Sequence, residues 1–288
     1  MLSLNLIEPG LQRPPRAAPG GSLPDVLTRR DPALIRRVFP WLAIIVDRYF
    51  RAEVDGLEHL DPGPWLGVST HNGGIYMPDL YCLLVAFWRR FGVEAPGYGL
   101  MHQVAFRVPL LGRLLAGVGG IPACGENGRV VLERGLPLLA CPGGDLDALK
   151  PFRERHRVIF DGRRGFVRLA LRQQVPIVPI VSVGAHEIFL MLNDGRRLAQ
   201  VTGAARRFRV KSIPLALSFP FGLTPAGLAA IPLPSKIRVR IGPPITFAEG
   251  PAAADDDAVV ERCAEHVRCT MQGALDELAA RRRHVVLG

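Results

Sequence analysis

The sequence predicts an α/β fold: a mixed, largely parallel sheet flanked by helices, with an N-terminal amphipathic helix in front of it. Three observations carry this. Short apolar, strand-like runs alternate with helical stretches through the middle of the chain. Two of those runs, residues 64–69 and 137–141, end in glycine loops, Thr70-His71-Asn72-Gly73-Gly74 and Cys141-Pro142-Gly143-Gly144-Asp145. A third run, residues 176–183, is almost continuously apolar, the pattern of a strand buried on both faces.

Taken in order, residues 1–24 are rich in Pro and Gly without an apolar period and read as a flexible arm. Residues 25–55 carry a helix that starts with Asp31 as N-cap and Pro32 at its first position. Leu34, Val38, Trp41, Leu42, Ile45 and Tyr49 share one face of it, with Arg37, Arg48 and Arg51 on another and Pro40 predicting a kink. A basic, aromatic-bearing amphipathic helix lies in a membrane interface or packs on a domain core, and both readings stay open. Residues 56–288 form the main domain: a strand to Ser69, a helix over 78–90, a further element near 110–118 and a strand over 138–141. A helix over 165–174 then leads into the buried strand, and residues 236–241 alternate strictly as a half-exposed strand does. Asp255, Asp256 and Asp257 open a final helix carrying Val259, Val260, Cys263, Val267, Met271, Leu275 and Leu278. It closes on Arg281, Arg282 and Arg283, so acidic start and basic end match the helix dipole.

The chain has 288 residues, 48% of them hydrophobic, enough to bury a full core. No apolar window approaches the roughly 18 residues of a membrane span, and no signal-peptide pattern opens the chain, which predicts a cytoplasmic protein. The net charge of +10 invites a nucleic-acid reading. Yet only Lys150, Lys211 and Lys236 among 36 basic residues are lysine, a skew spread along the chain, and no nucleic-acid motif accompanies it. No nucleic-acid partner is expected; an anionic membrane surface suits the charge better. Cys82, Cys124, Cys141, Cys263 and Cys269 lack paired metal-type spacing and read as reduced, buried thiols. Cys141, just before the glycine loop, is a core residue or a nucleophile.

In open α/β sheets ligands bind at the C-terminal ends of strands, where both glycine loops fall. His71 is the natural general base near neutral pH. Gly143 and Gly144 offer backbone donors for an anion or oxyanion, with Asp145 beside them. A base beside an oxyanion cradle reads as acyl transfer. Lys150, Arg153, Arg155, Arg157, Arg163, Arg164 and Arg168 form a basic run after the second loop, either solvated surface or a site for phosphates and headgroups. Glu187, following His186 at the end of the buried strand, is a candidate for lining the site, as are Asn72, Gly73 and Gly74. Neither loop has a metal-ligand cluster, and no Gly-x-Ser-x-Gly elbow argues for a serine acyl-enzyme. No metal and no cofactor are expected. Residues 212–235 hold no charged residue, are apolar and are broken by five prolines, and so read as an apolar loop, covering core or facing a membrane.

His71-Asn72-Gly73-Gly74 with Pro78-Asp79, then Cys141-Pro142-Gly143-Gly144-Asp145, Gly165-Phe166-Val167-Arg168-Leu169-Ala170 and Val175-Pro176-Ile177-Val178-Pro179-Ile180 follow one another in order. Together they resemble the glycerolipid (lysophospholipid) acyltransferase superfamily, and within it the diacylglycerol acyltransferase-like branch. The resemblance runs over about residues 57–247, with Ile241-Gly242-Pro243-Pro244-Ile245 fitting the closing strand. It makes residues 56–288 an acyltransferase domain. It implies transfer of a fatty acyl group from acyl-CoA or acyl carrier protein, a co-substrate, to a lipid alcohol at the cytoplasmic face of the cell membrane. It also implies His71 as general base, with Asp79 accepting its other N–H.

Three departures stand out. The family's usual His-x-x-x-x-Asp spacing is stretched, and Tyr76 occupies the position of the carboxylate. The usual Phe-Pro-Glu-Gly-Thr-Arg loop is Cys141-Pro142-Gly143-Gly144-Asp145-Leu146, without its Glu and Arg. Gly125 stands where a phosphate-binding arginine is expected. The lost groups bind phosphate, which points to an uncharged acceptor such as a diacylglycerol or long-chain alcohol. A catalytically silent, membrane-surface lipid-binding protein of the same fold is the alternative.

Overall fold

The longest fully buried strand organises the molecule. In the computed structural model, which describes residues 25–61, 63–202, 213–225, 231–284 and 288, β6 (Ile177–Val183) is buried along its whole length. It lies in a seven-stranded sheet with β1 (Glu53–Asp55), β2 (Leu66–Ser69), β3 (Tyr98–Met101), β4 (Gly120–Pro122), β5 (Leu138–Ala140) and β10 (Arg238–Ile241). The order is β1-β10-β6-β2-β5-β3-β4. Pairing is parallel except between β10 and β6, giving the mixed, largely parallel sheet expected. β10 alternates as predicted: Ile237, Val239 and Ile241 face the core, while Lys236 and Arg238 pair with Glu53 and Arg240 with Glu277.

Helices cover both faces. Among the described residues these are α1 (Asp25–Thr28), α2 (Pro32–Ile44), α3 (Pro78–Phe91), α4 (Pro109–Gly117), α5 (Gly125–Glu133), α6 (Gly144–Ala148), α7 (Gly165–Gln173), α8 (Arg196–Val201) and α9 (Asp257–Ala280). One core cluster joins α7 and α9 to the sheet, through Phe166, Val167, Val260, Val267, Met271 and Leu275. The other joins α2 and α3 to the opposite face, with Phe39 edge-on to Trp88. Asp31 caps α2 by accepting from Ala33 N–H at 2.8 Å, and Asp256 caps α9 by accepting from Ala258 N–H at 2.8 Å.

The N-terminal helix packs one face on the core and leaves an apolar edge exposed. Ile35, Phe39, Ala43, Val46 and Phe50 are buried, whereas Trp41 is 71% exposed and Ile44, Ile45 and Tyr49 are exposed beside it. Pro40 lies within α2, and a π-helical turn (Ile45–Tyr49) follows. The boundary placed at residue 55 falls inside the sheet, because β1 pairs with β10. The arm, residues 1–24, lies outside the described residues.

Two expectations are corrected. Cys124 and Cys269 are exposed rather than buried: Cys124 is the extended N-cap residue of α5, and Cys269 lies on an outward position of the last helix. The apolar segment is strand rather than loop over much of its described part: β8 (Leu215–Ser218) and β9 (Gly222–Pro225) form a hairpin that pairs with β7 (Leu190–Met191). Pro214 precedes β8, Pro220 is at the tip, Pro225 ends β9 and Pro232 and Pro234 follow it, so each proline stands at a strand end or outside a strand.

Candidate active site

β2 and β5 are parallel neighbours, so their glycine loops emerge side by side at the C-terminal edge of the sheet. They are stitched together. The His71 backbone N–H donates to Asp147 Oδ2 at 2.7 Å, and Gly74 N–H donates to Ala148 O at 3.0 Å. Asp147 Oδ1 accepts from Lys150 Nζ at 2.7 Å, and Lys150 Nζ also donates to Arg157 O at 3.0 Å. Both side chains of this ion pair are at most 2% exposed. A buried carboxylate thus uses one oxygen on the base-bearing loop and the other on a buried ammonium.

His71 keeps part of its surface, but its Nδ1 is sealed and has no hydrogen-bond partner. Burial pushes its pKa down to about 4; Asp147 and Asp145 pull upward and Lys150 pushes further down. The imidazole is therefore neutral at pH 7, as a proton acceptor must be. His186 is likewise held neutral by burial, at about 3, and donates from Nε2 to Lys150 O at 2.7 Å.

Asp79 does not meet the imidazole. Its Oδ2 accepts from Ser182 Oγ at 2.7 Å and from Asn72 Nδ2 at 3.2 Å, and its Oδ1 accepts from Leu80 N–H. Asn72 Nδ2 also reaches Ser182 Oγ at 2.9 Å and Thr70 Oγ1 at 3.1 Å. The stretched spacing explains this: Gly73 and Gly74 both adopt positive φ, and the loop turns the Asn72 amide, not the His71 ring, toward the start of α3. Burial raises Asp79 to about 6, against the hydrogen bonds from Ser182, Asn72 and Leu80. Gly73 has a second reason to be glycine, since a Cβ there would come within 2.7 Å of Ala185 O and of Pro78 Cδ.

The second loop is more tightly built than a free donor cradle. Gly144 N–H closes a turn onto Cys141 O at 3.2 Å, and a Cβ on Gly143 would collide with Ile159 O and Asp147. Asp145 pairs with Arg163, which also donates to Pro142 O at 2.9 Å. The Cys141 thiol is pushed up by burial, with Asp79 and Asp147 adding to it, which disfavours a thiolate nucleophile.

The basic run divides. Lys150 is not a surface headgroup ligand, because it lies three residues after Asp147 and turns inward onto it. Arg168 binds Asp257 and Ala254 O at the start of α9, and Arg164 binds Glu261, so these hold helices together. Arg153 remains outside, with its side chain 81% exposed. Glu187 is buried among cations: its carboxylate accepts from Arg155 Nε at 3.2 Å and forms an ion pair with Arg282, N to O 2.6 Å. Among the described residues no three His, Cys, Asp or Glu stand together to hold a metal ion.

An apolar cavity of about 130 Å³ opens between α3 and the sheet, lined by Trp65, Met77, Tyr81, Leu84, Tyr98 and Leu139 among others. Met77 and Leu80, at the start of α3 and on either side of Asp79 in the chain, are among its lining residues. Asp147 and Ser182 escaped the reading of the sequence. Each carried a signal: Asp147 is three residues before a lysine, and Ser182 is the one polar residue in an otherwise apolar strand.

A match to the diacylglycerol acyltransferase family spans residues 98–265. An uncharacterized protein of Mycobacterium leprae is 33% identical over 257 residues, covering 89% of this chain and 67% of its own. The chain belongs to the diacylglycerol acyltransferase family. The family match takes in the second glycine loop and the basic run; His71 and Asp79 precede it. Among more distant relatives, a Bos taurus protein named DGAT1/2-independent enzyme synthesizing storage lipids is 25% identical, covering 78% of this chain and 59% of its own. The 2-acylglycerol O-acyltransferase 1 of Mus musculus is 24% identical, covering 68% of this chain and 61% of its own. This chain thus spans about two thirds of its mycobacterial relative and about three fifths of the mammalian ones. The crystal structure of the 1-acyl-sn-glycerophosphate acyltransferase PlsC from Thermotoga maritima superimposes with a TM-score of 0.53 at 15% identity, over 88% of this chain and 80% of that one. The fold is therefore shared with a lipid acyltransferase, and family and fold together make this a lipid acyltransferase-type protein.

Proposed function

We propose that the protein moves a fatty acyl group from a thioester donor, acyl-CoA or acyl carrier protein, to the hydroxyl of an uncharged lipid acceptor, with His71 as general base. The observation that carries this is the neutral His71 ring, locked by its backbone to a buried Asp147–Lys150 pair, on a loop that runs into α3, whose Met77 and Leu80 line an apolar cavity. In the step itself, His71 takes the proton of the acceptor hydroxyl as its oxygen attacks the thioester carbonyl. Collapse of the tetrahedral intermediate breaks the C–S bond, and the proton leaves with the thiol. The cavity takes the first part of the acyl chain; at about 130 Å³ it matches an apolar hole that holds a benzene-sized guest, so a longer chain continues beyond it. Asp79 acts at one remove, fixing Asn72 and so the loop, with Ser182 as relay.

An uncharged acceptor, a diacylglycerol or long-chain alcohol, fits the missing phosphate-binding residues. It also agrees with relatives named for storage lipids and for 2-acylglycerol. The reaction is placed at the cytoplasmic face of the cell membrane, on an anionic leaflet and without a metal or bound cofactor. No helix among the described residues is long and apolar enough to cross a membrane, so attachment is proposed to be peripheral.

The test is purified protein with labelled acyl-CoA and acyl carrier protein thioesters against a panel of acceptor alcohols. Wild type should prefer neutral alcohols to lysophosphatidic acid, and His71→Ala should lose about 10²–10⁴ in rate. No transfer by wild type to any acceptor, with lipid binding intact, would mark a catalytically silent lipid-binding protein.

A further inference from the structure

The β8–β9 hairpin is inside out. In a water-facing hairpin the outward residues are polar and the inward ones apolar. Here Leu217 and Leu223, paired across the ladder, are 51% and 58% exposed, while Ser218 and Thr224 share a hydrogen bond of 2.7 Å on the inner side. Phe219 and Phe221 stand at the tip, 62% and 63% exposed. No charged residue occurs anywhere in the described part of this segment, up to Ser235.

The surface does not end there. Ile231 N–H donates to Phe219 O, and the next residue, Pro232, accepts from the Tyr49 hydroxyl through its carbonyl. Arg51 donates to Pro234 O at 2.7 Å. These bonds fasten the hairpin's exit, with the exposed Ile231 and Leu233, to the end of the N-terminal helical segment at Tyr49 and Arg51; Trp41, Ile44 and Ile45, earlier in that segment, are exposed too. Arg37 and Arg48 are exposed on the same helix. The hairpin's root lies at the His71 loop: β7 follows Ala185 and Ile188, which crowd Gly73, and Phe189 packs on Tyr76 with ring centroids 5.2 Å apart.

We propose that the outward face of the β8–β9 hairpin and the exposed edge of α2 form one docking surface for an anionic lipid bilayer. Charge selects this occupant over a second copy. Each copy carries +10, so two copies repel, whereas arginines beside an apolar face attract anionic headgroups. The shape agrees, since aromatic side chains at a narrow tip enter the headgroup and acyl boundary without exposing a charge. The proposal rests on the lipid-acceptor reading above and adds the surface that brings the acceptor to His71.

The test uses the full chain and vesicles of phosphatidylcholine with phosphatidylglycerol, read by co-sedimentation and by transfer activity. Phe219→Asp with Phe221→Asp should weaken vesicle binding roughly tenfold or more, since each phenyl ring removed from the bilayer accounts for about that factor. Trp41→Asp should weaken it further, while transfer to a water-soluble short-chain alcohol stays at the wild-type rate. Both tip residues are exposed, so the urea midpoint should not move; if it does, Leu223→Lys alone replaces the pair. Unchanged vesicle binding in these variants would overturn the proposal. So would a wild-type dimer, seen by sedimentation, that the tip substitutions dissociate. Hairpin-dependent vesicle binding without any transfer activity would instead leave this surface standing and remove the enzymatic reading.

Discussion

Replacing Lys150 by Met removes one half of an ion pair whose side chains are 1% and 2% exposed. At 2.7 Å the attraction is about 6 kcal/mol for an effective dielectric near 20, largely offset by the desolvation of both groups. The cost of the single change comes from what remains, a buried Asp147 carboxylate with only the His71 N–H to satisfy it. Breaking a buried pair in this way costs about 3–5 kcal/mol. Met fills the volume of the Lys stem, so little of the loss is cavity. Asp147→Asn should cost a comparable amount by stranding the ammonium. The double variant, neutral at both positions, should lose less than about 1.5 kcal/mol, because a matched apolar or amide pair needs no compensation. Urea unfolding of the four proteins at pH 7 measures the cycle. Losses that simply add, or a Lys150→Met loss below about 1 kcal/mol, would show that the pair is not what secures the two loops. Activity supplies a second readout. Lys150 pushes the His71 pKa down, so its removal should move the acid limb of the pH–rate profile upward.

Three further outcomes follow from the same site. Because burial holds His71 near 4, the acid limb of kcat/KM for the free enzyme should lie well below the ordinary imidazole range, and a limb near 6.5 would contradict the observed burial. Asp79 runs the other way: its pKa is raised from 3.8 to about 6, so the folded state binds its proton more tightly and this group's contribution to stability falls as pH rises through that window. Asp79→Asn should therefore gain on wild type, by up to about 3 kcal/mol, between about pH 4 and pH 7, and a pH-independent difference in urea unfolding would refute this. Gly99 lines the cavity in an ordinary strand conformation, with open space where a Cβ would stand. Gly99→Leu should shift donor preference toward shorter acyl chains without loss of stability; unaltered chain-length selectivity in competition assays would mean that the acyl chain lies elsewhere.

The C-terminal half of the sheet was legible because its signals are local. The apolar run 176–183, the alternation over 236–241 and the acidic cap of the last helix each reflect burial that repeats along one element. The two glycine loops were legible for the same reason, since a strand followed by a flexible turn is a sequence-local pattern. The residues that finish the site were not. Asp147 and Ser182 act on His71 and Asn72 across 76 and 110 positions of chain, and no periodicity reports a contact of that separation. Lys150 showed the opposite failure: in the sequence it belongs to a run of positive charge, and only the turn of α6 sends it inward, away from its neighbours in that run.

What the sequence by itself determined is the strand before each glycine loop, the helices over 78–90 and 165–174, the strands over 176–183 and 236–241 and the final helix, with a histidine in the first loop, all set by residue type and short-range spacing. The tertiary structure alone decided the partners. It gave Asp79 to Asn72 and Ser182 instead of the imidazole, gave Asp147 to the His71 backbone, and set the apolar face of the hairpin outward. The physical reason is common to all three. A buried carboxylate takes whichever donors packing brings within hydrogen-bond reach, and a strand's outward face depends on what covers the other one.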